Sequence, residues 1–135
     1  MTFVACNAGT PPTTACVHIY GVGWATHLGR SVEVDNTSQI DFSTAPCATL
    51  ANPLTTLKAA DGDTVDYTAT GHVCPTGGPG QSTLTGTYTV TGGTGRFAHA
   101  RGGGTFLGVS QTDLSCSCRA ATTFTIMGNL WGGRP

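Results

Sequence analysis

The segment Thr85 to Gly104, TGTYTVTGGTGRFAHARGGG, constrains what this chain can fold into more than any other stretch. Leu84, Gly86, Tyr88 and Val90 share one side of an extended backbone, while Thr85, Thr87, Thr89 and Thr91 share the other. That period of two is what a half-buried strand requires. Gly92, Gly93 and Gly95 then permit positive φ and a tight reversal. Arg96 to Ala100 leaves room for about one helical turn before Gly102 to Gly104 releases the next strand.

The same signals recur along the chain. Residues 1–15 carry TPPTT and read as an arm or edge strand, because Pro is poorly tolerated inside a sheet. Residues 16–135 read as one domain. It begins with a long extended segment from Cys16 to Val34, broken by Gly21, Gly23 and Gly29, whose bulky side is His18, Tyr20, Val22, Trp24, Leu28, Val32 and Val34. Ile40 and Phe42 start a short strand, and STAPCATLANP reads as a loop closed by Pro53. A hairpin follows, with strands at 54–60 and 64–73 around Asp61-Gly62-Asp63, where Asp-Gly favours the primed turns. Strands at 83–91, about 104–112 and 119–130 complete the pattern. Seven or eight antiparallel strands with no helix longer than a turn close most naturally as a barrel, which removes sheet edges. A two-sheet sandwich is the alternative.

Composition narrows the class. The 135 residues suffice for a single core. Threonine outnumbers even the 20 glycines, as suits pleated strands and turns. With 10% charged residues and a net charge of -1, no charge patch points to nucleic acid or to an acidic membrane surface. No apolar run reaches the ~20 residues of a membrane-spanning helix.

Six cysteines, none in a C-x-x-C pair, point to disulfides and an oxidising compartment, secreted or periplasmic. No signal peptide is visible after Met1, which fits a mature secreted form with an added Met; the alternative is a cytosolic protein with free buried thiols. Position favours Cys47 with Cys74, both in loops next to Pro. Cys6, Cys16, Cys116 and Cys118 would then tie the N-terminal segment to the last hairpin. Cys116 and Cys118 point to one side of an extended chain, so each is expected to reach a different partner.

Two segments, GWATHLGRSVEV (Gly23 to Val34) and GTYTVTGGTGRFAHARGGGTF (Gly86 to Phe106), with the Asp61-Gly62-Asp63 hairpin between them, carry a resemblance. They resemble small bacterial proteins related to the allene oxide cyclase-like barrels, a calycin-like group. The resemblance covers most of the chain after residue 16 and implies a cofactor-free barrel that holds a flexible apolar molecule and shapes its ring closure. It carries over no catalytic residue, because the acidic and tyrosine positions of the cyclases find no match here.

Strand parity gives the candidate site. Tyr20, Trp24, Leu28, Val65, Tyr67, Ala69, Leu84, Tyr88, Val90, Phe124 and Ile126 would line an aromatic, apolar lumen, in which Ala69, Gly71 and Gly86 leave space. The opposing account is that these rings make a packed core. Thr26 and Arg30 fall on the inward parity, and Arg30 is suited to polarising a carbonyl or clamping a carboxylate. His27 beside them is the candidate general acid or base. His18, His27, His72 and His99 lack ligand spacing, so no metal is expected. Glu33 is expected in solvent, Phe97 as a plug at the barrel end, and Arg96 against nearby carbonyls.

Three functions suit this inventory. A cofactor-free cyclase or isomerase would work by confining an apolar substrate, with His27 and Arg30 as its polar groups and Tyr20, Trp24, Tyr67, Tyr88 and Phe124 as its walls. A secreted, non-enzymatic ligand-binding barrel needs the same cavity without a positioned acid. A Thr-rich surface that binds ice or a polymer comes third, because the Thr spacing along the chain is irregular. The expected partner is an apolar small molecule, with no nucleic acid and no membrane; a homo-oligomer is compatible with this reading.

Overall fold

The computed structural model describes residues 1–26, 28–35 and 37–132, with backbone alone for residues 33–35. Ten antiparallel strands make one sheet: β1 Thr2–Val4, β2 Thr14–His18, β3 Tyr20–Ala25, β4 Gly29–Asp35, β5 Ser38–Asp41, β6 Ala48–Lys58, β7 Thr64–Pro75, β8 Gln81–Gly93, β9 Arg101–Thr112 and β10 Ala120–Trp131. The only helical element among the described residues is a 3-10 turn at Gly95–Phe97, where the glycine hinge and short turn were expected.

Strand order is β1-β2-β5-β6-β7-β8-β9-β10, and β6 has two partners on one edge. Its first half pairs with β5 (Gln39 opposite Ala51), and its second half pairs with β4 (Val32 opposite Lys58), which carries β3 outside it. The ends of the path meet at one joint. Thr2 bridges Arg119, the Phe3 amide donates to Cys118 O at 2.9 Å, and the Ala120 amide donates to Met1 O at 2.9 Å. Beyond this joint, among the described residues, β3 pairs with β4 alone and the second half of β10 with β9 alone.

Three sequence expectations fail here. Ten strands stand where seven or eight were expected. The segment Cys16 to Val34 is not one extended run: it is interrupted at Ile19 and doubles back after Ala25 into the β3–β4 hairpin, with Gly29 at φ 68°. Residues 48–53 are strand and not loop, because Pro53 sits where the β6–β7 register slips between Asn52 and Thr55. A proline is tolerated in a strand at such a bulge, since no ladder hydrogen bond is needed from it.

The core is one cluster on the inner face, including Val17, Ile40, Leu50, Val65, Tyr67, Ala69, Leu84, Val90 and Phe106. Glycines on this face make room for rings from neighbouring strands. A Cβ on Gly86 would lie 2.7 Å from Phe106 Cζ, and one on Gly108 would lie 2.8 Å from Phe124 Cδ1. Tyr67 and Tyr88 meet edge to face at 6.0 Å, and Phe106 and Phe124 do so at 6.1 Å. Each such pair adds about 0.5–1.5 kcal/mol beyond the area it buries.

Phe97 is buried within the 3-10 turn. Arg96 is held by carboxylates, not by the carbonyls expected. Its guanidinium reaches Asp61 at 3.0 Å, its backbone amide donates to Asp63 Oδ2 at 3.0 Å, and its Cζ lies 4.6 Å from the Phe97 ring centroid. The tip of the β6–β7 hairpin is thereby latched to the turn before β9.

Three disulfides join Cys6 to Cys16, Cys47 to Cys74 and Cys116 to Cys118. The Cys47–Cys74 pairing agrees with the sequence reading. The expected tie between the N-terminal segment and the last hairpin is replaced by two local bonds. Cys116 and Cys118 bond each other because they lie in the turn between β9 and β10, not on a strand, and Ser117 between them takes a positive φ of 50°. With that residue in the left-handed region, the period-two argument against their pairing no longer holds.

Candidate functional site

The inner face of β6 to β10 is where chemistry-bearing side chains converge. Register fixes its composition: Asn52 lies opposite Ala69, Ala69 opposite Tyr88, Tyr88 opposite Gly104, and Gly104 opposite Gly128. One row further, Thr55 lies opposite Tyr67, and Tyr67 opposite Val90. Directly opposed residues share a face, so Asn52 and Thr55 look inward with the tyrosines.

These two are the polar anomaly of the interior. Asn52 is 4% exposed and Thr55 0%, yet Asn52 Oδ1 and Thr55 Oγ1 have no hydrogen-bond partner among the described residues. A buried polar atom left unpaired costs about 1–3 kcal/mol, so such atoms in a native fold call for a reason. They flank the Pro53 irregularity, which carries both past the regular ladder.

Tyr88 is half-buried, and burial pushes its phenol above the ordinary tyrosine pKa, so the hydroxyl remains a neutral donor through the physiological range. Its Oη lies against Gly128. Next to it the inner face is open. Ile126 shares that face with Phe106, opposite which it pairs, yet is 48% exposed, and Gly128 is exposed too.

The sequence-predicted site divides sharply. Tyr67, Tyr88 and Phe124 are brought together on the inner face, the tyrosines against each other and Phe124 against Phe106. Tyr20 and Trp24 are on the outer face, 69% and 83% exposed. Arg30, opposite Trp24 in the β3–β4 pair, is exposed beside it, and Thr26 is exposed as well. The reversal has a simple cause: Val17 and Ile19 are buried, so odd positions turn inward in this stretch. The next odd positions, Gly21 and Gly23, have no side chain to reveal it. Of the predicted inward set here, Leu28 alone is buried. His27 and the side chain of Glu33 lie outside the described residues. Asn52, Thr55 and Phe106 were missed. The Asn52-Pro53 pair was the available signal, since a proline within an alternating run marks a bulge.

His18, His72 and His99 are exposed, and no group of three or more His, Cys, Asp or Glu able to hold a metal ion occurs among the described residues. A cleft of about 410 Å³ lies apart from the inner face, at the β1–β10 joint, between Met1, Thr2, Gln111, Asp113, Arg119 and Ala121. No helix among the described residues is long and apolar enough to cross a membrane.

Fold and site together define a disulfide-bonded, antiparallel all-β protein with an aromatic inner face and a buried polar pair. No protein-family model, curated protein or solved structure matches the chain.

Proposed function

We propose that the sheet closes into a barrel at the β1–β10 joint and that the protein is a secreted or periplasmic binding protein for an apolar small molecule bearing one polar group. The observation that carries this reading is the unpartnered pair Asn52 Oδ1 and Thr55 Oγ1, buried beside Tyr67 and Ala69. Aromatic rings supply apolar contact at low entropic cost, and one or two fixed polar groups orient a ligand among them. A ligand hydroxyl or amide that donates to Asn52 and exchanges a hydrogen bond with Thr55 would satisfy both. The exposed inner face at Ile126 and Gly128 offers the way in. Three disulfides favour an oxidising compartment.

Binding without turnover is favoured over the cyclase or isomerase expectation, because the polar side chains beside the proposed ligand are the Asn52 amide and the hydroxyls of Thr55, Tyr67 and Tyr88, while Arg30 is exposed on the outside. Shape alone can still steer a ring closure. Turnover of a polyene or epoxide by the purified protein would restore that reading. The binding test is native mass spectrometry of protein purified from its own source, followed by titration with amphiphiles carrying one hydroxyl or amide. A retained or bound ligand is expected, lost in Asn52→Leu. An interior that binds none of the panel rejects the proposal.

A second reading rests on the outer face. Irregular along the chain, the threonines align across strands: Thr70, Thr87 and Thr105 form one row over β7, β8 and β9, and Thr68 and Thr89 another. Adjacent strands lie about 4.8 Å apart and alternate residues about 6.6 Å, so methyl and hydroxyl groups repeat in two dimensions. Such a lattice suits ice or an extended polymer. Adsorption abolished by Thr87→Lys is its expected signature, and no adsorption by the parent rejects it.

A further inference from the structure

We propose that the Cys116–Cys118 bond is a thiol–disulfide exchange site. Both cysteines are exposed in the turn between β9 and β10, flanked by exposed Ser115 and Ser117. The bond spans a sequence separation of 2, against 27 for Cys47–Cys74. A ring that small restricts little of the unfolded chain, so structural stapling is a weak account of it.

The turn is held without it. Asp113 Oδ1 accepts from the Ser115 amide at 3.0 Å and the Ser115 hydroxyl at 2.6 Å, Asp113 O accepts from the Ser117 amide at 2.8 Å, and Arg119 Nε donates to Asp113 Oδ2 at 3.0 Å. A reduced pair can therefore stay in place in the same fold. The sulfurs are also unequal. The Cys118 amide donates to Cys116 Sγ at 3.2 Å, and a hydrogen bond of that kind stabilises a thiolate on Cys116. Cys116 is the better leaving group, and Cys118 the sulfur that is attacked.

The reaction balances with a dithiol as reductant. One thiolate of the dithiol attacks Cys118 Sγ, the S–S bond breaks, and Cys116 leaves as a thiolate that takes up a proton. The second thiol, deprotonated, then attacks the donor's sulfur in the mixed disulfide and releases Cys118 thiolate, which is protonated in turn. Two electrons and two protons pass from the dithiol to the protein, and the donor leaves as a disulfide. Run in reverse, the reduced pair reduces a partner's disulfide.

The test exposes the folded protein to graded dithiothreitol at neutral pH, followed by alkylation and peptide mapping. Cys116 and Cys118 are expected to be alkylated at about tenfold less reductant than Cys6, Cys16, Cys47 or Cys74, with an unchanged circular dichroism spectrum. In intact protein treated briefly with a monothiol and then quenched with acid, the mixed disulfide should map to Cys118. Simultaneous loss of all three bonds, earlier loss of Cys47–Cys74, or the mixed disulfide on Cys116 would each overturn the proposal.

Discussion

The hydroxyl of Tyr88 on β8 occupies the space that a side chain on Gly128 of β10 would need, two strands away across Gly104. Phe106 fills the corresponding space at Gly86, and Phe124 at Gly108, each from the directly neighbouring strand. The glycines of the inner face are sockets for rings. Gly86→Ala would bring its Cβ against Thr70 O as well as Phe106, so the backbone itself must shift. A loss of about 1–3 kcal/mol is expected from overpacking. Phe106→Ala, which empties a socket, should cost about 3–5 kcal/mol. Urea unfolding checks both, and an unchanged midpoint for Gly86→Ala would contradict the socket geometry.

Tyr88→Trp discriminates a cavity from a packed core. With free space over the inner face, the larger ring is accommodated, Tm is held and ligand uptake falls. In a filled interior it costs about 1–3 kcal/mol, and Tm falls although the parent binds nothing. Thermal melts and dye titration on both proteins decide.

The disulfides should rank by the chain they enclose. Replacing Cys47 and Cys74 by Ala removes a bond across 27 residues and should cost about 3.5 kcal/mol, while the Cys116 and Cys118 pair should cost about 1 kcal/mol. Equal losses in chemical denaturation would show that something other than loop closure sets their contribution.

Asp113 gives the β9–β10 turn a pH dependence. Hydrogen bonds from Ser115, first its hydroxyl and then its amide, together with Arg119, hold this carboxyl below its ordinary value. A depressed carboxylate adds order that is fully present above the ordinary pKa and is lost as pH falls through the folded one. The Ser115 and Ser117 amide signals should therefore stay constant from neutral pH down to about pH 4 and move only below it. Asp113→Asn should abolish that titration. Movement between pH 5 and 7 in the parent would exclude Asp113 as its source.

Legibility in the sequence followed where side chains alternate visibly. Thr85 to Val90 and Val65 to Ala69 declared their inward sides because bulky apolar and small polar residues take turns. The reversal at Asp61 to Asp63 and the short turn at Gly95–Phe97 came from local backbone chemistry. Around Tyr20 to Trp24 the pattern inverted, since the inward positions are glycines and bulk marks the outside. Asn52 and Thr55 stayed hidden for a different reason. A bulge shifts the register by an amount that no local pattern states, and whether a buried polar atom finds a partner depends on strands distant in sequence.

The β1–β10 joint also has a consequence for the order of assembly. β6 to β10 are successive hairpins, each pairing with its neighbour in the chain, so they can zip from local contacts at small loop-closure cost. The hydrogen bond from the Met1 ammonium to Ala120 O spans 119 residues. That contact is expected to form after the meander has set the position of β10 and to open before it in a partial unfolding. In hydrogen exchange the Phe3 and Ala120 amides should trade with solvent well before the paired amides of β7 and β8.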